Sequence, residues 1–374
     1  MPEKGNRISE ARLEKPDKIM SGYLEKAIGE LRQGESGSEA GRVYHEFANF
    51  CDQQLQNTSN IEDFQRASKL REDKQKEVDE LRRLMLNSNG KDTVLRTECT
   101  KAEQWLRLDN EDFDRLKCTR DTFVEKSVQN YLRCLAACND YDSDAVRFSA
   151  LWLANAGVER VNKAAGILDI VPSKKFVPLI NQLSSRLLNE NNTFQRRLLT
   201  LISKICYDHP YHGIYQISAL TKTRGKDEAA LSRQKAAMSV VKHLKGDRKS
   251  QDVVHAILSL TQAYEILAHT KSEKLKSKGA TLIAVLCGEA RKFERDIPSF
   301  GIPPPTMHID TRADCDYSSI PRITRYDSAV AVASGMSAPK IITCQSTDGN
   351  TFKQLVFFGI KSTIYLGAGF TNDL

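Results

Sequence analysis

From Glu39 to about Phe293 the apolar residues return every third or fourth position, the helical period, and two-residue alternation is scarce. In GRVYHEFANFCDQQL, for example, Val43, Phe47 and Phe50 fall on one stripe of a helix. A long polar helix is predicted over residues 61–85, with Ser59 and Asn60 as capping candidates and Glu, Lys and Arg at helical spacing; residues 87–90 end it. Further helices are predicted over 94–108, 111–138, 143–155, 158–168, 174–188, 193–208, 211–220, 228–244, 252–269 and 272–293. The linkers are short and no strict repeat signature recurs. These helices are therefore expected to stack as antiparallel pairs in an irregular α-solenoid. Such units bury a face only against neighbours, so an array starting at residue 1 without a polar cap is expected to be a piece whose front is missing.

The pattern changes at IPSFGIPPPTM, where Pro298, Pro303, Pro304 and Pro305 stop helix propagation and stiffen the chain. Beyond it, strands are predicted over 306–309, 320–326, 329–333, 340–345 and 352–358. The fold class is mostly α: a helical array over 1–295, a Pro-rich linker over 296–305 and a small β-rich piece from 306.

At 374 residues the chain has room for two ordinary domains or for one helical array with an appended piece. The balance of 55 Lys+Arg against 48 Asp+Glu gives +7, and the charges are interspersed, which describes a mixed solvated surface rather than a basic stripe. The most basic stretches, Lys242 to Lys249 and Lys271 to Lys278, suit either nucleic-acid contact or an ordinary solvated helix face, and both readings stay open. Nine scattered cysteines without CxxC spacing fit the reduced thiols of cytosol or nucleus. Cys134 and Cys138 share a helix face and are read as core residues rather than metal ligands. The N-terminus MPEKGNRISEARLEK has no apolar core of a secretory signal, and no apolar run approaches the roughly 20 residues that span a bilayer, so no membrane partner is expected.

Several short motifs invite chemistry. DHPYH, Asp208 to His212, offers two imidazoles and a carboxylate, but Pro210 interrupts the helix between them, so it reads as an interhelical turn. Trp152 in SALWLANAG reads as a packing residue. GAGFTNDL lacks the third glycine of a dinucleotide fingerprint, and FFG at Phe357 to Gly359 lacks the aspartate that binds magnesium in kinases. SGMSAPK, Ser334 to Lys340, is a small glycine-containing turn between strands, where backbone amides can approach phosphate oxygens and Ser334 and Ser337 can add hydroxyl contacts.

Long segments in order along the chain carry a resemblance. NYLRCLAACNDYDSDAVRFSALWLANAGVERVN, KKFVPLINQLSSRLL and ISKICYDHPYHGIYQISAL resemble the helical FAT region of the phosphatidylinositol-3-kinase-related protein kinases, in their ATM-type branch with its fungal telomere-length and DNA-damage checkpoint kinases. IPPPTMHID and SAVAVASGMSAPKIITCQSTDGNTFKQLV resemble the start of that family's kinase domain. The resemblance implies a FAT-like solenoid followed by the first strands of a kinase N-lobe. It places Ser334, Gly335, Met336 and Ser337 at the phosphate loop and Leu355 on an adenine-pocket strand. For the complete protein it implies ATP and magnesium as cofactors, transfer of phosphate to protein Ser/Thr, a nuclear location and homodimerisation. It also implies, as partners, the remainder of the kinase domain and checkpoint proteins at DNA breaks and telomeres.

In that family a lysine that contacts ATP phosphates follows the position matched by Val356, and a Leu-Arg-Gln-Asp segment comes next. Here Phe357 stands in that place, and the tail 357–374 matches nothing in the family. Lys361 lies four residues on, about 13 Å along a strand, too far to substitute. The catalytic loop and the Asp-Phe-Gly of the family do not occur among these residues, and phosphoryl transfer depends on those groups. The polypeptide is thus expected to bind no ATP at micromolar affinity and to be inactive by itself. Its tail is expected to come from a shifted reading frame or an unspliced intron, with a shortened isoform as the rival. The tail strand, lacking sheet partners, is expected to be sticky. The alternative of another class is a non-catalytic helical scaffold that binds protein partners.

Overall fold

The computed structural model describes residues 14–31, 36–87, 92–222, 225, 227–270, 292–333, 339–358 and 364–368. As predicted, the chain is mostly helical, with stacked helix pairs followed by a small open β-sheet. It forms two compact units, Met1–Val171 and Pro172–Leu374.

The first unit begins with α1 (Pro16–Ile19), the π-helical Met20–Leu24 and α2 (Glu25–Glu30). There follow α3 (Ser38–Gln56), α4 (Thr58–Asn87), α5 (Thr93–Ala137), α6 (Asp144–Ala154) and α7 (Glu159–Ala164). The stripe predicted on α3 is real: Phe47 and Phe50 are buried against Ile19, Met20, Leu24 and Phe123. Helix α4 starts earlier than expected, because Asn57 Oδ1 accepts the backbone N–H of Ser59 at 3.0 Å; Asn57, not Ser59 or Asn60, is the cap. Only Val78 of α4 is buried, facing Ala102 and Leu106 of α5, which is why its sequence reads as polar almost all round.

The helices predicted over 94–108 and 111–138 are one helix, α5, of 45 residues. Asp92 caps it by accepting from the backbone of Val94 and Leu95, at 2.9 and 3.1 Å. Asp109 and Asn110 are weak helix formers, but neither removes a hydrogen bond as proline would, so flanking turns carry the helix through them. The second half of α5 buries Val124, Val128, Leu132 and Leu135 against neighbouring helices. Trp152 on α6 is fully buried, as predicted, and its indole N–H donates to Asn162 Oδ1 at 3.0 Å.

Asp52 is a buried polar hub of this unit. Arg147 donates to both its oxygens at 2.9 and 2.8 Å, Tyr131 Oη at 3.0 Å and Gln56 Nε2 at 3.0 Å. Burial pushes the Asp52 carboxyl up, but these donors, Arg147 foremost, outweigh it and hold the carboxyl below its ordinary value.

The second unit opens with a 3-10 segment, Ser173–Leu179, then α8 (Ile180–Ser185). The single helix predicted over 174–188 is divided here, since Pro178 has no N–H to give. Next come α9 (Thr193–Asp208), α10 (Pro210–Thr221), α11 (Glu228–Gly246) and α12 (Gln251–His269), all near their predicted bounds. The helix predicted over 272–293 lies outside the described residues except for its end, which is π-helical over Lys292–Asp296; α13 (Ile297–Ser299) follows.

The sheet consists of β1 (Ile323–Tyr326), β2 (Ala331–Val332), β3 (Lys340–Ser346), β4 (Thr351–Phe358) and β5 (Ile364–Ala368). Its order is β1-β3-β4-β5, with β2 also on β3, and every pair is antiparallel. Gly349 at φ +82° makes the Thr-Asp-Gly turn between β3 and β4, where Asp348 Oδ1 accepts the Asn350 N–H at 3.1 Å. Residues 306–309, predicted as a strand, form none; the carbonyl of Ile309 is instead bonded by His212 Nε2 at 2.8 Å. The proline segment is packed: Ile302 is buried and its carbonyl accepts from Ile323 N at 2.8 Å.

One face of the sheet and helix α12 share a core. Leu260, Ala263, Tyr264 and Leu267 meet Ile323, Tyr326, Ile342, Cys344 and Val356. Within it, the Tyr264 hydroxyl bonds the Tyr326 hydroxyl at 3.0 Å and donates to Gln354 Oε1. The tail strand is not left without partners: β5 pairs with β4, Phe357 opposite Tyr365 and Phe358 opposite Ile364. The expected unpaired edge on β4 is thereby corrected, since the backbone groups of 354–358 are taken up by the tail.

Candidate functional site

The predicted phosphate loop joins β2 to β3. Val332 stands opposite Lys340, and Ala333 N donates to Pro339 O at 2.8 Å, so the two ends of the loop are held side by side. Ser334, Gly335, Met336 and Ser337 lie between those ends, outside the described residues. Leu355 is half-buried on β4, opposite Ile341 of β3 and Gly367 of β5.

Strand alternation divides the candidate residues between faces. Lys340, Ile342 and Cys344 of β3 and Gln354 and Val356 of β4 are buried on the α12 side, leaving Ile341, Thr343, Lys353 and Leu355 on the other. Lys340 is 4 % exposed and its Nζ donates to the carbonyl of Ala268 at 2.7 Å. That carbonyl is among the last of α12, where the helix dipole is negative and favours a cation. Burial lowers the pKa of the Lys340 ammonium. The lysine nearest in sequence to the loop is therefore committed to the core. Lys353 is exposed on the Leu355 side, but it lies four residues, about 13 Å, before position 357.

A second polar cluster lies at the predicted interhelical turn. His209 is buried, with Nε2 3.1 Å from Ser173 Oγ and Nδ1 2.6 Å from the Tyr317 hydroxyl, while Ser173 Oγ donates to Asp208 at 2.5 Å. Burial lowers the His209 pKa to about 4, against a smaller upward pull from Asp208. The ring is a neutral staple that ties the α9–α10 turn to the segment leading into the sheet, and Pro210 starts α10 where its missing N–H costs nothing. Sequence reading identified the turn but not its partners, which come from residues 36 and 108 positions away.

Stacked helix pairs followed by a small open antiparallel sheet are the architecture of a helical array joined to a kinase N-lobe fragment. No family model matches the chain. It is 43% identical over 356 residues to the serine/threonine-protein kinase tel1 of Aspergillus oryzae, covering 94% of this chain and 12% of that protein. Among solved structures it is similar to the complete CtTel1 dimer with C2 symmetry, at TM-score 0.82 and 39% identity over 96% of this chain and 13% of that one. It is equally similar to the FAT and kinase domain of CtTel1, at TM-score 0.82 and 39% identity, covering 96% of this chain and 24% of that chain. The chain belongs to the fungal Tel1/ATM-type kinase family, as a segment from the FAT region to the start of the kinase domain.

The family implies ATP and magnesium. The described residues do not fit that pair: on the Leu355 side of β3 and β4 the one lysine is exposed and distant, and the buried Lys340 is turned to Ala268. No phosphate anchor is assigned to either.

Proposed function

We propose that the chain is a non-catalytic segment of an ATM-type serine/threonine protein kinase. In the complete protein, which acts in the nucleus in DNA-damage signalling and telomere maintenance, the γ-phosphate of ATP passes to Ser or Thr of protein substrates. The helical array braces the kinase lobes and the protein works as a homodimer, with checkpoint proteins at DNA breaks and telomeres as partners. The names of the relatives support this reading, as does the likeness to a C2 dimer. The chain spans only 12% of the curated relative's length, so these activities belong to the larger protein. Ser334, Gly335, Met336, Ser337 and Leu355 form the front of its nucleotide cradle.

The observation that carries the inactivity of this chain is Phe357, at the place where the family resemblance puts a lysine. A benzyl group offers a phosphate neither charge nor hydrogen bond, and Lys340 is held on the other face. Incubating the purified chain with radiolabelled Mg-ATP and a Ser/Thr peptide should leave the peptide unlabelled; labelling by a preparation free of full-length kinase contradicts the proposal. Sequencing the transcript and genome after the Val356 codon should reveal a frame that continues into lysine and Leu-Arg-Gln-Asp.

A further inference from the structure

Three helices of the first unit bring metal-ligating side chains together. His45 on α3, Cys134 near the end of α5 and Asp144 at the start of α6 are far apart in sequence, His45 and Asp144 by 99 positions. Yet His45 Nδ1 lies 3.0 and 2.9 Å from the two oxygens of Asp144, and the nitrogen, sulfur and a carboxylate oxygen all lie within 4.8 Å of one another. Cys138, one helical turn after Cys134, interacts electrostatically with the Cys134 thiol. Helix α3 approaches Cys138 through Gly41, where any Cβ would collide with the Cys138 sulfur. Cys134 is 0% and Asp144 2% exposed, while the His45 side chain is 24% exposed and leaves a way in from solvent. Tyr141 stacks on the His45 ring at 4.2 Å and fixes its plane.

We propose that His45, Cys134, Cys138 and Asp144 form a zinc-binding site. One imidazole, two thiols and one carboxylate are the donor types that zinc accepts in four-coordinate sites, and the softness of sulfur selects it over calcium or magnesium. A tetrahedral ion with bonds of about 2.0–2.3 Å needs its donors about 3.3–3.8 Å apart. The His45–Asp144 pair must therefore open slightly, the Cys134 sulfur close in by about 1 Å, and the Cys138 sulfur, which lies outside that trio, turn in to complete the four. Zinc replaces the proton shared between His45 and Asp144, and each thiol that ligates gives its proton to solvent, so the ion meets two thiolates, a carboxylate and a neutral imidazole. Burial and the nearby carboxylate push the Cys134 thiol far up when no cation is present; a divalent ion beside the sulfur reverses that preference. The site would clamp α3, α5 and α6. A Cys-x3-Cys spacing on one helix is ordinary core, and only the fold supplies the other two donors.

The test uses the whole 374-residue chain, purified reduced and stripped with a chelating resin, then loaded with zinc or cobalt alone. One equivalent of zinc should be retained by elemental analysis. The cobalt-loaded chain should show a thiolate-to-cobalt charge-transfer band and the intense visible bands of tetrahedral coordination. His45→Ala alters a partly exposed position; with its helical circular dichroism intact, it should weaken zinc binding by about tenfold or more. Cys138→Ser should reduce the charge-transfer intensity. A wild-type chain that retains no zinc overturns the proposal, as do cobalt bands unchanged by both substitutions; the cluster is then an ion pair beside buried thiols.

Discussion

The ammonium of Lys340 and the carbonyl of Ala268 are joined at 2.7 Å, fastening the first residue of β3 to the end of α12. The bond lies at the edge of the core that the sheet shares with α12, and it closes the last turn of that helix where a carbonyl has no intrahelical partner. Lys340→Ala removes donor and stem together and should destabilise the second unit by about 1–3 kcal/mol. Lys340→Met keeps the apolar stem and should cost less than the alanine change. Urea unfolding of the two variants beside the parent checks the order.

Asp52 gathers Arg147, Tyr131 and Gln56 from three directions. Asp52→Ala leaves Tyr131 and Gln56 without their acceptor, though Arg147 can turn to water, and should cost about 2–4 kcal/mol. Because the folded carboxyl is held below its unfolded value, its contribution is present above about pH 4 and is lost as pH falls through the folded pKa. Acid titration followed by circular dichroism should show the parent losing this increment and Asp52→Asn lacking it.

His209 works in the opposite chemical sense. Its folded pKa is about 4, below the ordinary 6.5, so the unfolded chain takes up the proton first. Stability should be unaffected by this group above about pH 6.5, fall by at most about 1.4 kcal/mol per pH unit toward pH 4 and level off below. In His209→Gln the overall stability should be lower and this slope absent, as read from urea midpoints across the range.

Tyr264→Phe removes a buried hydroxyl that bonds Tyr326 and Gln354. The two partners remain in an apolar core, so a loss of about 1–3 kcal/mol is expected, with α12 and the sheet unfolding together. Hydrogen exchange should show α12 and β4 protected to the same degree in the parent and both weakened in the variant.

The helices were legible because their apolar spacing repeats over many residues; 193–208 was located to the residue. Sequence alone divided α5 at Asp109-Asn110, since local propensity is weak there and the packing of flanking turns is invisible in it. It also joined 174–188 across Pro178, and took 306–309 for a strand whose backbone is in fact engaged by a histidine 97 positions away. At the site, β3, β4 and the turn at Gly349 were legible from alternation and turn chemistry. The burial of Lys340 was not, because only its pairing in the sheet decides which face it occupies. The partner strand β5 was missed because no strand was read beyond residue 358, and the pairing of Phe357 with Tyr365 is a contact that local propensity does not reveal.

A nucleotide cradle with Phe357 in place of lysine should hold no ATP. Titrating Mg-ATP into the purified 374-residue chain in a calorimeter addresses it directly. No saturable heat is expected at micromolar nucleotide; a saturable one-to-one isotherm in that range would show that Phe357 does not abolish binding.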